Sequence, residues 1–139
     1  MKTFISALSG TLVLLGGIII YILYLNHAAD EFVALTKEVA TYADLEEWEN
    51  CSKKMQDLEQ TWNRKNKILR AFTDHDDLDK AEQTLFELKE SVKFQNQENI
   101  ARFSSVMLSF IERLTDNESP TWENILRHTP KGQSRHKML

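Results

Sequence analysis

Phe4 to Leu25 reads FISALSGTLVLLGGIIIYILYL, twenty-two residues without a formal charge. As a helix rising about 1.5 Å per residue, such a run spans about 33 Å and matches a hydrocarbon core of about 30 Å. A cleaved leader has a shorter apolar region, about 7 to 15 residues, followed by a small-x-small site. The one candidate here, His27-Ala28-Ala29, puts a bulky polar residue where a small one is preferred. The run is therefore expected to be a retained transmembrane signal anchor over residues 1–25.

The flanks give its orientation. Lys2 lies before the run, Asp30 and Glu31 follow it, and Lys37 is the first basic residue beyond. Positive charge stays on the cytoplasmic side, so the expected topology is a single-pass protein of the cell membrane, N-terminus cytoplasmic and C-terminal domain extracytoplasmic. Phe4 at one end and Tyr21 and Tyr24 at the other suit the two interfaces, where aromatic rings bury their bodies and wet their edges.

Beyond the run, glycine and proline settle the class. Gly10, Gly16 and Gly17 lie inside it, Gly132 is the only glycine after it, and residues 18 to 119 contain neither glycine nor proline. Tight hairpins and phosphate-cradling loops need positive φ or close backbone approach, which glycine supplies. Helix remains, and the spacing supports it. Trp48, Cys51, Met55, Leu58, Trp62, Leu69 and Phe72 follow a 3,4 rhythm that breaks only where Lys65 takes an inward position. Leu78, Ala81, Leu85, Leu88 and Val92 repeat it, as do Ile100, Phe103, Met107, Phe110 and Leu114.

Side chains must then make the breaks. Thr41-Tyr42-Ala43-Asp44 has the form of a capping box, and Ser119-Pro120 sets an N-cap before a proline. Arg64, Lys65, Lys67 and Arg70 precede Thr73-Asp74-His75-Asp76-Asp77, an ordering that opposes the helix dipole on both sides of a turn. The expected fold is all-α: a transmembrane helix continuing to about Ala40, then a small antiparallel three-helix bundle with helices near 43–72, 76–94 and 97–115, and a short turn after Pro120. In domain terms these are an anchor (1–25), a helical stalk (26–42) able to add Phe32, Leu35 and Val39 to the core, an extracytoplasmic bundle (43–126) and a basic, disordered tail (127–139).

Charge and motif content narrow the function. Residues 30–126 hold 12 basic and 21 acidic residues, whereas Arg127, Lys131, Arg135 and Lys137 stand alone in the tail. An acidic body disfavours nucleic acid. Asp74, His75, Asp76 and Asp77 are adjacent, and adjacent residues rarely converge on one ion, so they are assigned to capping and no metal site is expected. Cys51, the only cysteine, falls on an apolar stripe and is expected to be a buried thiol, with an interchain disulfide as the alternative. No G-x-S-x-G, H-E-x-x-H or P-loop occurs, and the expectation is a non-enzyme without cofactors.

An apolar anchor, a long helix carrying Trp48 and Trp62, the Asp74-His75 pair opening the next helix and a terminal Asn124-Ile125-Leu126 together resemble the Domain of Unknown Function 4363 family. The resemblance covers nearly the whole chain. It implies a short, membrane-anchored helical protein of Gram-positive bacteria with no assigned activity, and as partner a multi-pass YetF-like membrane protein. The basic tail departs from the family pattern.

Two roles follow as expectations. One is an accessory protein whose membrane helix docks a larger membrane protein or associates with itself. The other is a surface adaptor whose bundle and basic tail bind a soluble or cell-wall ligand. For the first, Ser6, Gly10 and Gly17 fall on one face of the helix, where small side chains let another backbone approach closely.

Overall fold

The computed structural model describes residues 1–118. Four helices account for nearly all of it: α1 (Lys2–Asp44), α2 (Trp48–Phe72), α3 (His75–Lys93) and α4 (Gln97–Glu118), with no strand among the described residues. The proposed turn after Pro120 and the basic tail lie outside them.

The expected three-helix bundle on a stalk is replaced by four helices around one core. α1 packs on α2 and α4, and α3 closes the ring by packing on the same two. The core takes Leu25, Ala28, Ala29, Phe32, Thr36, Val39 and Ala43 from α1, so the segment read as a stalk is a full member of the bundle. The physical reason is arithmetic. Three short amphipathic helices leave an apolar flank open between the first and last, and the stripe on residues 25–43 fills it.

Cross-helix pairs show that α1 and α2, and α2 and α3, run antiparallel. From α1 to α2, Glu38 meets Lys54, Glu31 meets Lys65, and Tyr21 meets Phe72. From α2 to α3, Glu59 meets Lys89 and Arg70 meets Asp79 and Glu82. In both sets one number falls as the other rises. The bundle thus has an entry end, where α1 comes in at Tyr21 beside the α2–α3 turn, and a far end holding the other two turns.

Both far-end turns have the same form, and neither contains glycine. Glu47 N–H donates to Tyr42 O at 2.9 Å and Asn96 N–H to Ser91 O at 2.9 Å, with Glu46 (φ 58) and Gln95 (φ 54) in the left-handed region between them. These are Schellman-type ends, in which one left-handed residue lets later amides reach back to orphan carbonyls. The capping box expected at Thr41 is not used. The helix runs through it, and Thr41 Oγ1 donates to Lys37 O at 2.8 Å within α1. Gln97 Nε2 ties the two turns together by donating to Ala43 O at 2.9 Å.

The likeness extends along both hairpins. Adding 49 to a residue number in α1–α2 gives its counterpart in α3–α4, and the core coincides: Phe32 with Ala81, Thr36 with Leu85, Val39 with Leu88, Ala43 with Val92, Cys51 with Ile100, Met55 with Ser104, Leu58 with Met107 and Trp62 with Ile111 are all buried. The two hairpins thus share a burial register with different side chains at each of these paired positions, and the register lapses at the entry end, where Leu25 and Ala28 are buried but Asp74 is exposed and Asp77 half-buried.

Candidate membrane and partner interface

Outside the bundle, α1 is bare. From Phe4 to Ile20 every residue is exposed except Gly16, which is half-buried, and Leu12, Val13, Leu14 and Ile20 are each more than 60% accessible. This helix is long and apolar enough to cross a membrane by length and composition. Two of its hydroxyls are satisfied locally. Ser9 Oγ donates to Ser6 O at 3.0 Å and Thr11 Oγ1 to Ala7 O at 3.0 Å, which suits an environment without water.

Ser6, Gly10 and Gly17 all lie on this segment, and Ser6 is exposed. A Cβ added at Gly10 or Gly17 would meet nothing within 4 Å, so the bundle of this chain does not use that face.

Where α1 joins the bundle, the α1–α2 seam changes polarity in steps. Tyr21 and Phe72 come first, with ring centroids 4.4 Å apart and planes inclined at 42°. Next, the Lys65 ammonium stands 5.5 Å from the Tyr24 ring centroid. Above it Lys65 Nζ lies 2.8 Å from Glu31 Oε2, and Arg64 and Thr61 reach Oε1 of the same carboxylate at 3.5 and 3.4 Å. Hydrogen bonding from Lys65 holds the Glu31 carboxyl below its ordinary range against the opposing effect of burial. The break in the α2 stripe at Lys65 is explained here: the inward lysine meets an acid on α1.

Phe72 departs from expectation. It continues the α2 stripe in sequence, yet it is 62% exposed, because α2 ends there and the ring projects past the core onto Tyr21. One turn earlier Ile68 is also exposed.

The remaining candidates sort simply. Asp74 caps α3 by accepting from Asp76 N–H at 2.9 Å, with Asp76 and Asp77 in the first turn, as the capping assignment required. Cys51 is fully buried, its Sγ 3.4 Å from Val39 O, and desolvation pushes the thiol up. That burial supports the small-hydrophobe reading over an interchain disulfide. Among the described residues no group of three His, Cys, Asp or Glu side chains is placed to hold a metal ion.

Several hollows flank the packed seams. One of about 170 Å³ lies at the entry end between Phe72, Asp77, Phe110 and Arg113, and one of about 390 Å³ runs along α2 and α3 past Trp48, Met55, Lys89 and Val92. Sequence reading missed the seam between Tyr21 and Glu31 because it assigned these residues to an anchor and a separate stalk. The inward Lys65 was the available signal that an acid stood opposite.

A family profile matches residues 19–125, beginning inside the apolar run and covering the whole described bundle. The chain belongs to the DUF4363 family, a domain of unknown function. The DUF4363 match takes in Ile19 and Tyr21 together with the four-helix core, so the family unit includes the passage from apolar helix to bundle. No curated protein and no solved structure matches the chain.

Proposed function

We propose that this DUF4363 protein is a non-catalytic, membrane-anchored accessory protein, its bundle extracytoplasmic and its membrane helix docked on a larger multi-pass membrane protein. The observation that carries the reading is the continuity of α1. One helix is bare and apolar from Phe4 to Ile20 and becomes core from Leu25 to Ala43. A displacement of the apolar half therefore moves the core, which is what a subunit coupling a membrane partner to an outer domain requires. The open face at Ser6, Gly10 and Gly17 and the internally satisfied hydroxyls add support.

The test is purification of the tagged full chain from its native membrane in mild detergent, with protease treatment of intact protoplasts alongside. External protease is expected to remove the bundle, and a stoichiometric membrane protein is expected to co-purify. Digestion only after lysis would reverse the topology, and recovery of a solitary monomer would count against the accessory role.

A further inference from the structure

The length of the bare segment sets up a mismatch. Phe4 to Ile20 is seventeen residues, and from Tyr21 onward one face of the helix packs on its own bundle, Leu25 being buried there while Leu23 on the other face stays 63% exposed. Seventeen residues rise about 26 Å, short of a hydrocarbon core of about 30 Å. Lys2 opposes any shift that would draw more of the chain in from the other side, and tilt shortens the projected length further. A membrane-spanning α1 must therefore either thin the bilayer or bring the entry end of the bundle down to its surface.

The entry end is built for the second outcome. Phe72 lies 62% exposed and Ile68 42% exposed on the same side of α2, one turn apart. The Phe72 ring rests on Tyr21, the first residue of α1 after the bare segment, so it sits at the level where that segment stops. Above this apolar rim come the Lys65 and Tyr24 contact and then the Glu31 ion pairs, an order from apolar to charged that follows the polarity gradient of a bilayer interface. Charge does not select the surface, because Asp74, Asp76 and Asp77 begin α3 just beyond Phe72. What the rim exposes is a ring and methyl groups, Phe72 and Ile68.

From this geometry we infer that Phe72, with Ile68 and Tyr21, inserts into the interfacial layer of the bilayer and seats the bundle directly on the membrane. The occupant of this apolar rim is lipid, in the zone between headgroups and acyl chains. This rests on the membrane-spanning reading of α1, and the experiment separates the two.

Full-length chain carrying a nitroxide at one introduced cysteine is reconstituted in phosphatidylcholine nanodiscs, and collision rates with oxygen and with a water-soluble nickel chelate are compared. Cys51 is fully buried, so the unsubstituted chain supplies the labelling background. Val13→Cys reports the bare segment, Phe72→Cys the rim and Leu45→Cys the far end. The expected order of the oxygen-to-nickel ratio is Val13 highest, Phe72 several-fold above Leu45, and Leu45 aqueous. Ile68→Cys repeats the rim measurement should Phe72→Cys unfold.

A rim label as accessible to nickel as the Leu45 label, with Val13 in hydrocarbon, overturns the inference and leaves the span intact. A rim label shielded from both reagents means that protein covers it, which also overturns the inference. A Val13 label open to nickel overturns the membrane-spanning reading itself.

Discussion

Lys65 Nζ lies 2.8 Å from Glu31 Oε2, joining α2 to α1 at the level where α1 has become part of the core. The lysine side chain is only 12% exposed while the glutamate is 34% exposed, so the pair has a dry side and a wet side. The cation would be costly to leave there alone, and the acid makes its position tolerable.

This pair makes stability depend on acidity. Glu31 has its carboxyl held down by Lys65 in the folded state, so its contribution is present above the ordinary glutamate range and is lost as pH falls through the lowered folded value. Glu31→Gln is expected to lower stability near neutral pH by about 1 kcal/mol, given its partial exposure. The gap from the parent chain should close on acidification below about pH 4. Thermal unfolding of the full chain in detergent, followed by circular dichroism across that range, is the measurement. A gap that is constant with pH would mean that the pair contributes nothing electrostatic.

Glu46 and Gln95 hold left-handed backbone at φ 58 and 54 without being glycine. Left-handed geometry costs a residue with a Cβ about 1 kcal/mol that glycine does not incur. Each of Glu46→Gly and Gln95→Gly should therefore stabilise the fold by a few tenths of a kcal/mol, about 1 kcal/mol of relieved strain less the roughly 0.4 kcal/mol or more for the greater freedom of unfolded glycine. Denaturant titration reads the effect. Destabilisation by both would show that the side chains at these turns matter more than the backbone strain.

Leu85 and Phe86 are neighbours with opposite fates, the first 6% and the second 60% exposed. Leu85→Ala should cost about 2 to 5 kcal/mol through lost burial and a residual cavity. Phe86→Ala is expected to stay within about 0.5 kcal/mol, as is usual for surface changes. Equal losses for both would mean that α3 is rotated from the described orientation.

Gly10→Leu combined with Gly17→Leu fills a face that is open in the structure. Insertion should be unaffected, because leucine is favourable in a membrane span. Any contact made through close helix approach should be lost, so a partner captured by the parent chain is expected to be absent from the variant's purification. Retention of that partner would move recognition to the bundle.

Much of this was readable in the chain. Rhythm located α2, α3 and α4 to within a few residues, because an amphipathic helix advertises its buried face at fixed spacing. The cap at Asp74 was legible because a capping side chain acts on its own turn. Thr41 misled for the same local reason. A capping motif describes what a helix start needs, yet α1 continued because Val39 and Ala43 bury one unbroken stripe against α2 and α4.

The sequence by itself determined an all-helical chain with one long apolar segment, since hydrophobic period, run length and the lack of glycine are properties of residues in order. The tertiary structure alone decided that the second half of α1 is core, that Phe72 is left outside it, and that the two hairpins share a burial register at an offset of 49 residues. Those facts depend on which faces meet across the bundle. Thr36 and its counterpart Leu85, like Met55 and Ser104, share burial without sharing chemistry, because the core fixes the positions to be covered and accepts different side chains to cover them.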